Sequence, residues 1–252
     1  MNLASPDEEP ELDLFLLPGA GAGPSSFSSW AGSVPPGWRV TAACLPGRDR
    51  RTGEPFVTSM AQCADLLAAA TRELDRPLVL LGHSLGGMLA FEVAKRVPVV
   101  TIFTVGSSPP DRIVDTGGGS DEMIDRTVRE VLHNAGVPDS PVLDDLVDVV
   151  SPIMRADLRM AHSCRAPEPR AVGCDIVSYY GAADAMPALS WQPFTTAHAD
   201  VVVYEGDHHA VHTDVRWFVA DMAYRLATCG TSTRPPSERC GGTPGSVVWD
   251  HT

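Results

Sequence analysis

The residues Gly82-His83-Ser84-Leu85-Gly86-Gly87 follow directly on the apolar run Leu78–Leu81 and lead into a helical pattern. A strand that passes into a helix through Gly-x-Ser-x-Gly bends so sharply that side chains at the flanking positions collide, hence a glycine on each side. The bend lifts the Ser84 hydroxyl above the sheet. The helix that follows aims unpaired N–H groups and a partial positive charge at the same point. A lone GxSxG also occurs in structural turns. Its place between strand and helix, with acids and bases downstream in the right order, favours a nucleophile.

Serine attacks only when a base takes its proton. With such a bend the order along the chain is serine, acid, histidine. The last strand candidate, Val201–Tyr204, is followed by Glu205-Gly206-Asp207-His208-His209. His208 is the first choice of base, His209 the second and His212 the third, and those not used read as solvated loop histidines. The acid has to orient the imidazole and stabilise its charged form. Asp184, in Gly181-Ala182-Ala183-Asp184 after the strand Ile176–Tyr180, suits that role. So does Asp111, at the end of Ser107-Ser108-Pro109-Pro110-Asp111. Either is equally readable as a helix or turn cap. Asp207 reads as a turn residue.

The run Leu12–Leu17 ends in Pro18-Gly19-Ala20-Gly21-Ala22-Gly23. A loop of this kind turns a backbone N–H inward beside the serine. Ala20 is the first choice of donor, with Gly19 and Gly21 close alternatives, and Leu85 supplies a second N–H. Together they would hold the negative oxygen of a tetrahedral intermediate. A phosphate loop is disfavoured, since no Gly-Lys-Ser/Thr follows and the G-x-G-x-x-G spacing is not met.

These residues need a scaffold. Strands are predicted at Leu12–Leu17, Arg39–Cys44, Leu78–Leu81, Val99–Val105, Ile176–Tyr180 and Val201–Tyr204. Several are apolar throughout, as in parallel strands covered on both faces. Helices are predicted at Thr58–Leu74, Leu85–Arg96 and Val215–Ala227, each with one apolar stripe or a direct exit from a strand. The alternation predicts an α/β fold with a mostly parallel, doubly wound sheet. From Asp111 to Arg170 the rhythm breaks. The flexible run Thr116–Ser120 precedes two helical patterns, Asp121–Asn134 and Leu143–Ala161, the latter interrupted at Pro152. This segment reads as a helical lid, about 112–170, over the C-terminal edge of the sheet, where ligands bind.

The 252 residues, 44% of them apolar, suit one domain over 1–228. Residues 229–252 are rich in Gly, Pro, Ser and Thr and predict a disordered tail. A net charge of −13 disfavours nucleic-acid binding. The six cysteines form no CxxC pair and read as reduced structural thiols. No secretory signal and no apolar run near membrane-spanning length is apparent, so a cytoplasmic protein is expected. The chemistry requires no metal and no organic cofactor.

The same residues resemble the type II thioesterases of polyketide and nonribosomal peptide biosynthesis, members of the α/β-hydrolase superfamily. Leu17–Gly23 through Ser26-Phe27 resembles their Pro-His-Ala-Gly-Gly loop. Leu45-Pro46-Gly47-Arg48-Asp49-Arg50-Arg51 is similar to their Tyr-Pro-Gly-Arg-Glu-x-Arg element. Gly82–Gly87 looks like their Gly-His-Ser-Met-Gly, Arg155-Ala156-Asp157-Leu158 like a short lid-helix element, and Gly181–Asp184 like the block holding their acid. The likeness spans about Leu12 to Leu226. It implies hydrolysis of stalled or aberrant acyl chains from the phosphopantetheine arm of acyl or peptidyl carrier proteins; separately, a monomer is expected. It also implies Asp184 as the acid, whereas thioesterase domains fused to synthase ends resemble a pattern with the acid near Asp111. The alternatives on the same scaffold are a carboxylesterase or lipase, and an acyl-transfer or cyclising thioesterase. Gly19 stands where the family has histidine, and Gly206-Asp207-His208-His209 replaces its Gly-Gly-His-Phe. Arg48, Arg50 and Arg51 suit either a carrier-arm phosphate or structural ion pairs. Asp157 reads as a partner of a backbone group or an arginine, and Met123, Met154 and Met160 as the apolar face of the lid.

Overall fold

Seven strands form one sheet in the order β1-β3-β2-β4-β5-β6-β7 in the computed structural model of the chain. The structure describes residues 1–4, 9–72, 74–112, 120–134, 136–164, 170–184 and 186–229. The strands are β1 (Asn2–Ala4), β2 (Leu12–Leu17), β3 (Trp38–Ala42), β4 (Leu78–His83), β5 (Thr101–Val105), β6 (Asp175–Gly181) and β7 (Ala199–Tyr204). All neighbours pair in parallel except β1, which lies antiparallel on the edge of β3. The helices are α1 (Met60–Thr71), α2 (Leu85–Ala94), α3 (Asp121–Asn134), α4 (Pro141–His162), α5 (Ala210–Thr213) and α6 (Val215–Cys229).

The apolar runs of the strands are explained by two buried faces. Phe15, Leu17, Leu78, Leu80, Ile102 and Ile176 point to one side and meet Met60, Ala64, Leu67, Leu89 and Phe91 from α1 and α2. Leu14, Leu16, Val79, Leu81, Phe103, Val177 and Tyr179 point to the other and meet Phe27, Trp30, Phe218 and Met222. The period of two along each strand thus divides one hydrophobic run between two cores. Each fully buried Leu or Phe contributes about 1.5–3 kcal/mol. Trp30 pairs its indole N–H with the Val211 carbonyl at 3.0 Å, so its polar atom is satisfied inside the core.

Strand order reverses between β2 and β4: β3 follows β2 to one side, and β4 lies on the other. Register puts Leu17 opposite Gly82. The loop after β2 and the bend after β4 therefore emerge side by side at the carboxyl edge, the place where open α/β sheets leave a crevice.

The lid is a hairpin of α3 and α4 with its own small core of Ile124, Val128, Leu143 and Val147. Expectation fails at Pro152, which does not interrupt α4. Leu143, Val147, Ile153, Ala156 and Met160 stay buried on both sides of it. Packing of that continuous stripe outweighs the roughly 3 kcal/mol that an interior proline costs. The three methionines do not share one face: Met160 is buried in the sheet-side core, Met154 packs against the lid core, and Met123 is exposed. The three-residue β1 was not predicted. The glycines of the Thr116–Ser120 run, and the tail from 230 onward, lie outside the described residues.

Candidate active site

Ser84 sits between β4 and α2 with φ 51° and ψ −116°, a left-handed backbone for a residue that is not glycine. Such conformations cost on the order of 1–3 kcal/mol and persist where surroundings over-determine them. Here its N–H donates to the Val105 carbonyl at 2.8 Å, and its own carbonyl accepts from Gly87 N–H at 3.0 Å. A Cβ on Gly82 would lie 2.1 Å from the Gly86 carbonyl oxygen, and one on Gly86 would lie 2.0 Å from that of Leu17. Both flanking glycines are therefore steric requirements of the bend. The serine itself remains half-buried.

The loop between β7 and α5 carries His208. Its Nδ1 lies 2.7 Å from Asp184 Oδ2, with the aspartate side chain 9% exposed and the histidine 27%. A carboxylate only accepts, so Nδ1 carries the proton and Nε2 is left with a lone pair. The other Asp184 oxygen accepts the Met186 N–H at 3.1 Å. Asp111 is on a surface turn, half-exposed beside Arg112, with no contact to an imidazole among the described residues. His209 is exposed; its backbone N–H donates to Asp207 Oδ1 at 2.8 Å, its carbonyl accepts the His212 N–H at 2.9 Å, and its ring makes no hydrogen bond among the described residues.

Gly106, immediately after β5, went unnoticed in the sequence. It has φ 57°, and a Cβ there would stand 2.6 Å from His208 Nδ1 and 3.4 Å from Asp184 Oδ2. The His–Asp pair thus lies directly on the backbone of the strand end that also accepts the Ser84 N–H. A glycine closing an apolar strand beside the bend was the available signal.

The loop after β2 is clamped from the lid. Gly21 N–H donates to Asp157 Oδ2 at 2.8 Å, which removes Gly21 from the candidate oxyanion donors. Arg48 meets Asp157 in a bidentate pair at 2.8 and 2.6 Å, and its Nη1 also reaches the Ala22 carbonyl at 2.8 Å. With side chains 4% and 1% exposed, this is a buried structural pair, and Arg48 is not free for a phosphate. Arg51 is likewise engaged, with Glu54 and the Cys44 carbonyl. Arg50 is exposed. Ala20 and Leu85 N–H groups have no protein acceptor among the described residues.

A histidine cluster adjoins the bend. His83 Nε2 donates to the His208 carbonyl at 2.8 Å, and His212 Nε2 lies 3.3 Å from His83 Nδ1. Burial first, and then neighbouring imidazoles, pull His83 well below the ordinary histidine range. Burial followed by the charge of His209 brings His212 down to about 4. The sequence offers His212 only as a third choice of base and carries no sign that either ring packs against the bend.

The fold is that of the α/β-hydrolases, with the serine bend at the switch point of the sheet and a helical insertion beside it. The chain belongs to the Thioesterase domain family, whose model matches residues 13–220. It is 26% identical to the gramicidin S biosynthesis protein GrsT of Aneurinibacillus migulanus over 230 residues, which are 86% of this chain and 89% of that one. Among solved structures, the type II thioesterase BorB from the borrelidin biosynthetic cluster superposes with a TM-score of 0.75 at 25% identity, covering 87% of this chain and 94% of that one. The RedJ thioesterase of the prodiginine pathway in Streptomyces coelicolor gives 0.73 at 26% identity, over 85% and 86%. No helix among the described residues is long and apolar enough to cross a membrane.

Proposed function

We propose that this chain is a serine thioesterase that hydrolyses acyl groups from the phosphopantetheine arm of carrier proteins in a polyketide or nonribosomal peptide assembly line. The reading takes residues 1–228 as one catalytic domain, and the family match over 13–220 supports that extent. The observation that carries it is the 2.7 Å contact of His208 Nδ1 with Asp184, on the strand end that also receives the Ser84 N–H. The carrier-protein substrate is supported by relatives whose names belong to such pathways.

In this mechanism His208 Nε2 takes the Ser84 proton as Oγ attacks the thioester carbonyl carbon. Amides of Ala20 and Leu85 receive the oxyanion. The tetrahedral intermediate collapses with cleavage of the C–S bond, and the imidazolium returns its proton to the leaving thiolate. Water then adds to the acyl-serine with His208 again as base, releasing the carboxylic acid and free Ser84. Asp184 keeps the imidazole in its Nδ1–H tautomer throughout.

The test is release of free acid from an acyl carrier protein, followed by mass spectrometry. Ser84→Ala should abolish it, and undiminished turnover would end the scheme. Faster cleavage of matched oxygen esters than of thioesters would instead assign a carboxylesterase, and a cyclic product an acyl-transfer enzyme.

A further inference from the structure

Three imidazoles that the hydrolytic scheme does not use converge beside it: His83 at the end of β4, His209 just ahead of α5, and His212 within α5. One ring nitrogen from each lies within 4.8 Å of the other two. His83 Nδ1 and His212 Nε2 are 3.3 Å apart. Two nitrogens bound to one tetrahedral zinc ion at about 2.0–2.1 Å are about 3.3–3.4 Å from each other. That pair already has the spacing of two adjacent corners of a coordination tetrahedron.

The second nitrogen of His83 strengthens the case. A carbonyl oxygen accepts and cannot donate, so the 2.8 Å contact with the His208 carbonyl fixes the proton on Nε2 and leaves a lone pair on Nδ1. A metal-binding histidine is oriented in this manner, by a hydrogen bond from the nitrogen that does not bind. Gly19 keeps the flank of Nδ1 open, since even a Cβ there would come within 3.1 Å of it. His209 is exposed, with no side-chain hydrogen bond among the described residues to hold its ring, and one of its ring nitrogens already lies within 4.8 Å of the other two.

We propose that His83, His209 and His212 form a binding site for a divalent cation of the zinc type, and that its occupation suppresses hydrolysis. An all-imidazole donor set selects zinc, copper, nickel or cobalt over magnesium and calcium. Suppression follows from the chain itself. His83 is joined by a peptide bond to Ser84, and His209 to His208. A cation held between them ties the serine bend to the histidine loop and draws His209, with its neighbour, toward β4. The inhibitory half rests on the hydrolase reading, whereas the binding half stands without it.

The experiment uses the full chain freed of metal by chelation, titrated with Zn2+ by calorimetry and with Co2+ by its visible absorption. One Zn2+ per chain should bind, with tetrahedral Co2+ bands, equally in the wild type and in Ser84→Ala. His209→Ala and His212→Ala should each weaken binding roughly 100-fold. Should His212→Ala misfold, the exposed His209→Ala carries the test alone. Saturating Zn2+ should slow acyl release at least about tenfold in the wild type, a barrier rise of ~1.4 kcal/mol. His209→Ala should show the same rate with and without Zn2+, so that the tenfold ratio seen in the wild type is lost. Zn2+ binding weaker than ~1 mM, or binding unchanged in the histidine variants, overturns the site. Full activity with the site occupied overturns the suppression. A wild type that hydrolyses no acyl carrier refutes the proposed function instead, and calorimetry still judges the site.

Discussion

Asp157→Asn probes the connection between lid and oxyanion loop. The carboxylate is 1% exposed and accepts three hydrogen bonds, two from Arg48 and one from Gly21 N–H, at 2.6–2.8 Å. Asparagine keeps the shape but has one acceptor oxygen. Its amide group must face either an Arg48 N–H or the Gly21 N–H, donor against donor. It also leaves a guanidinium, 4% exposed, without a counter-charge. Removing one partner of a buried ion pair costs about 3–5 kcal/mol, because the remaining charge stays desolvated. For a domain of this size that corresponds to a Tm lower by roughly 6–20 °C, measured by calorimetry or circular dichroism. Acyl release should fall as well, at temperatures where the variant is folded, since the loop bearing Ala20 loses its anchor. The double variant Arg48→Met with Asp157→Leu should recover most of the Tm, as apolar replacement of a whole buried pair is often neutral. It should not recover activity, because Gly21 N–H still lacks its acceptor. Glu54→Gln, which breaks the exposed pair with Arg51, should leave the Tm where it is. An Asp157→Asn protein melting within a degree of the wild type would refute the reasoning.

Other outcomes are open to direct measurement. Asp184→Asn should lower kcat by on the order of 10³–10⁴-fold with little change in stability, because the amide no longer enforces the Nδ1–H tautomer. Asp111→Asn should match the wild type, and a reversed pair of results would move the acid to Asp111. Gly106→Ala should reduce kcat at least roughly 100-fold by displacing the His208 ring, which a Cβ would approach to 2.6 Å; unaltered kcat would show that the ring has room to spare. Burial holds the Cys63 and Cys174 thiols up at about 12 and Cys164 at about 11. The folded chain keeps those protons while unfolded thiols, near 9, release theirs, so the unfolded state binds fewer protons above that pH. The contribution is complete below pH 9 and lost as pH rises toward 11–12, so the urea midpoint should fall across that window. Alkylation at pH 8 should spare the three in the folded protein, and labelling at the rate of free cysteine would contradict their burial.

What the sequence disclosed and what it withheld divide along the range of the interactions. Leu78–Leu81 running into Gly82–Gly87 is a local pattern, and strand, bend and helix all form there. Leu12–Leu17 is reproduced residue for residue, because a run buried on both faces has no ambiguity of side. Order along the chain points to His208 as base but admits Asp184 and Asp111 alike as acid; the family resemblance favours Asp184, which meets His208 across the ends of β6 and β7. The Arg48–Asp157 clamp joins groups 109 positions apart, and no spacing rule connects them. Pro152 misled because its local penalty is legible, whereas the tertiary stripe that overrides it is not. The partnership of His83 with His212 depends on how α5 settles against the bend, a matter of packing between segments 129 residues apart.

The private core of the lid has an evolutionary corollary. Ile124, Val128, Leu143 and Val147 shield one another and take no part in covering the strands. The hairpin they build is accordingly a module. Its outer helix α3 can diverge among descendants, whereas Asp157 and Met160 of α4 stay tied to the loop after β2 and to the sheet-side core.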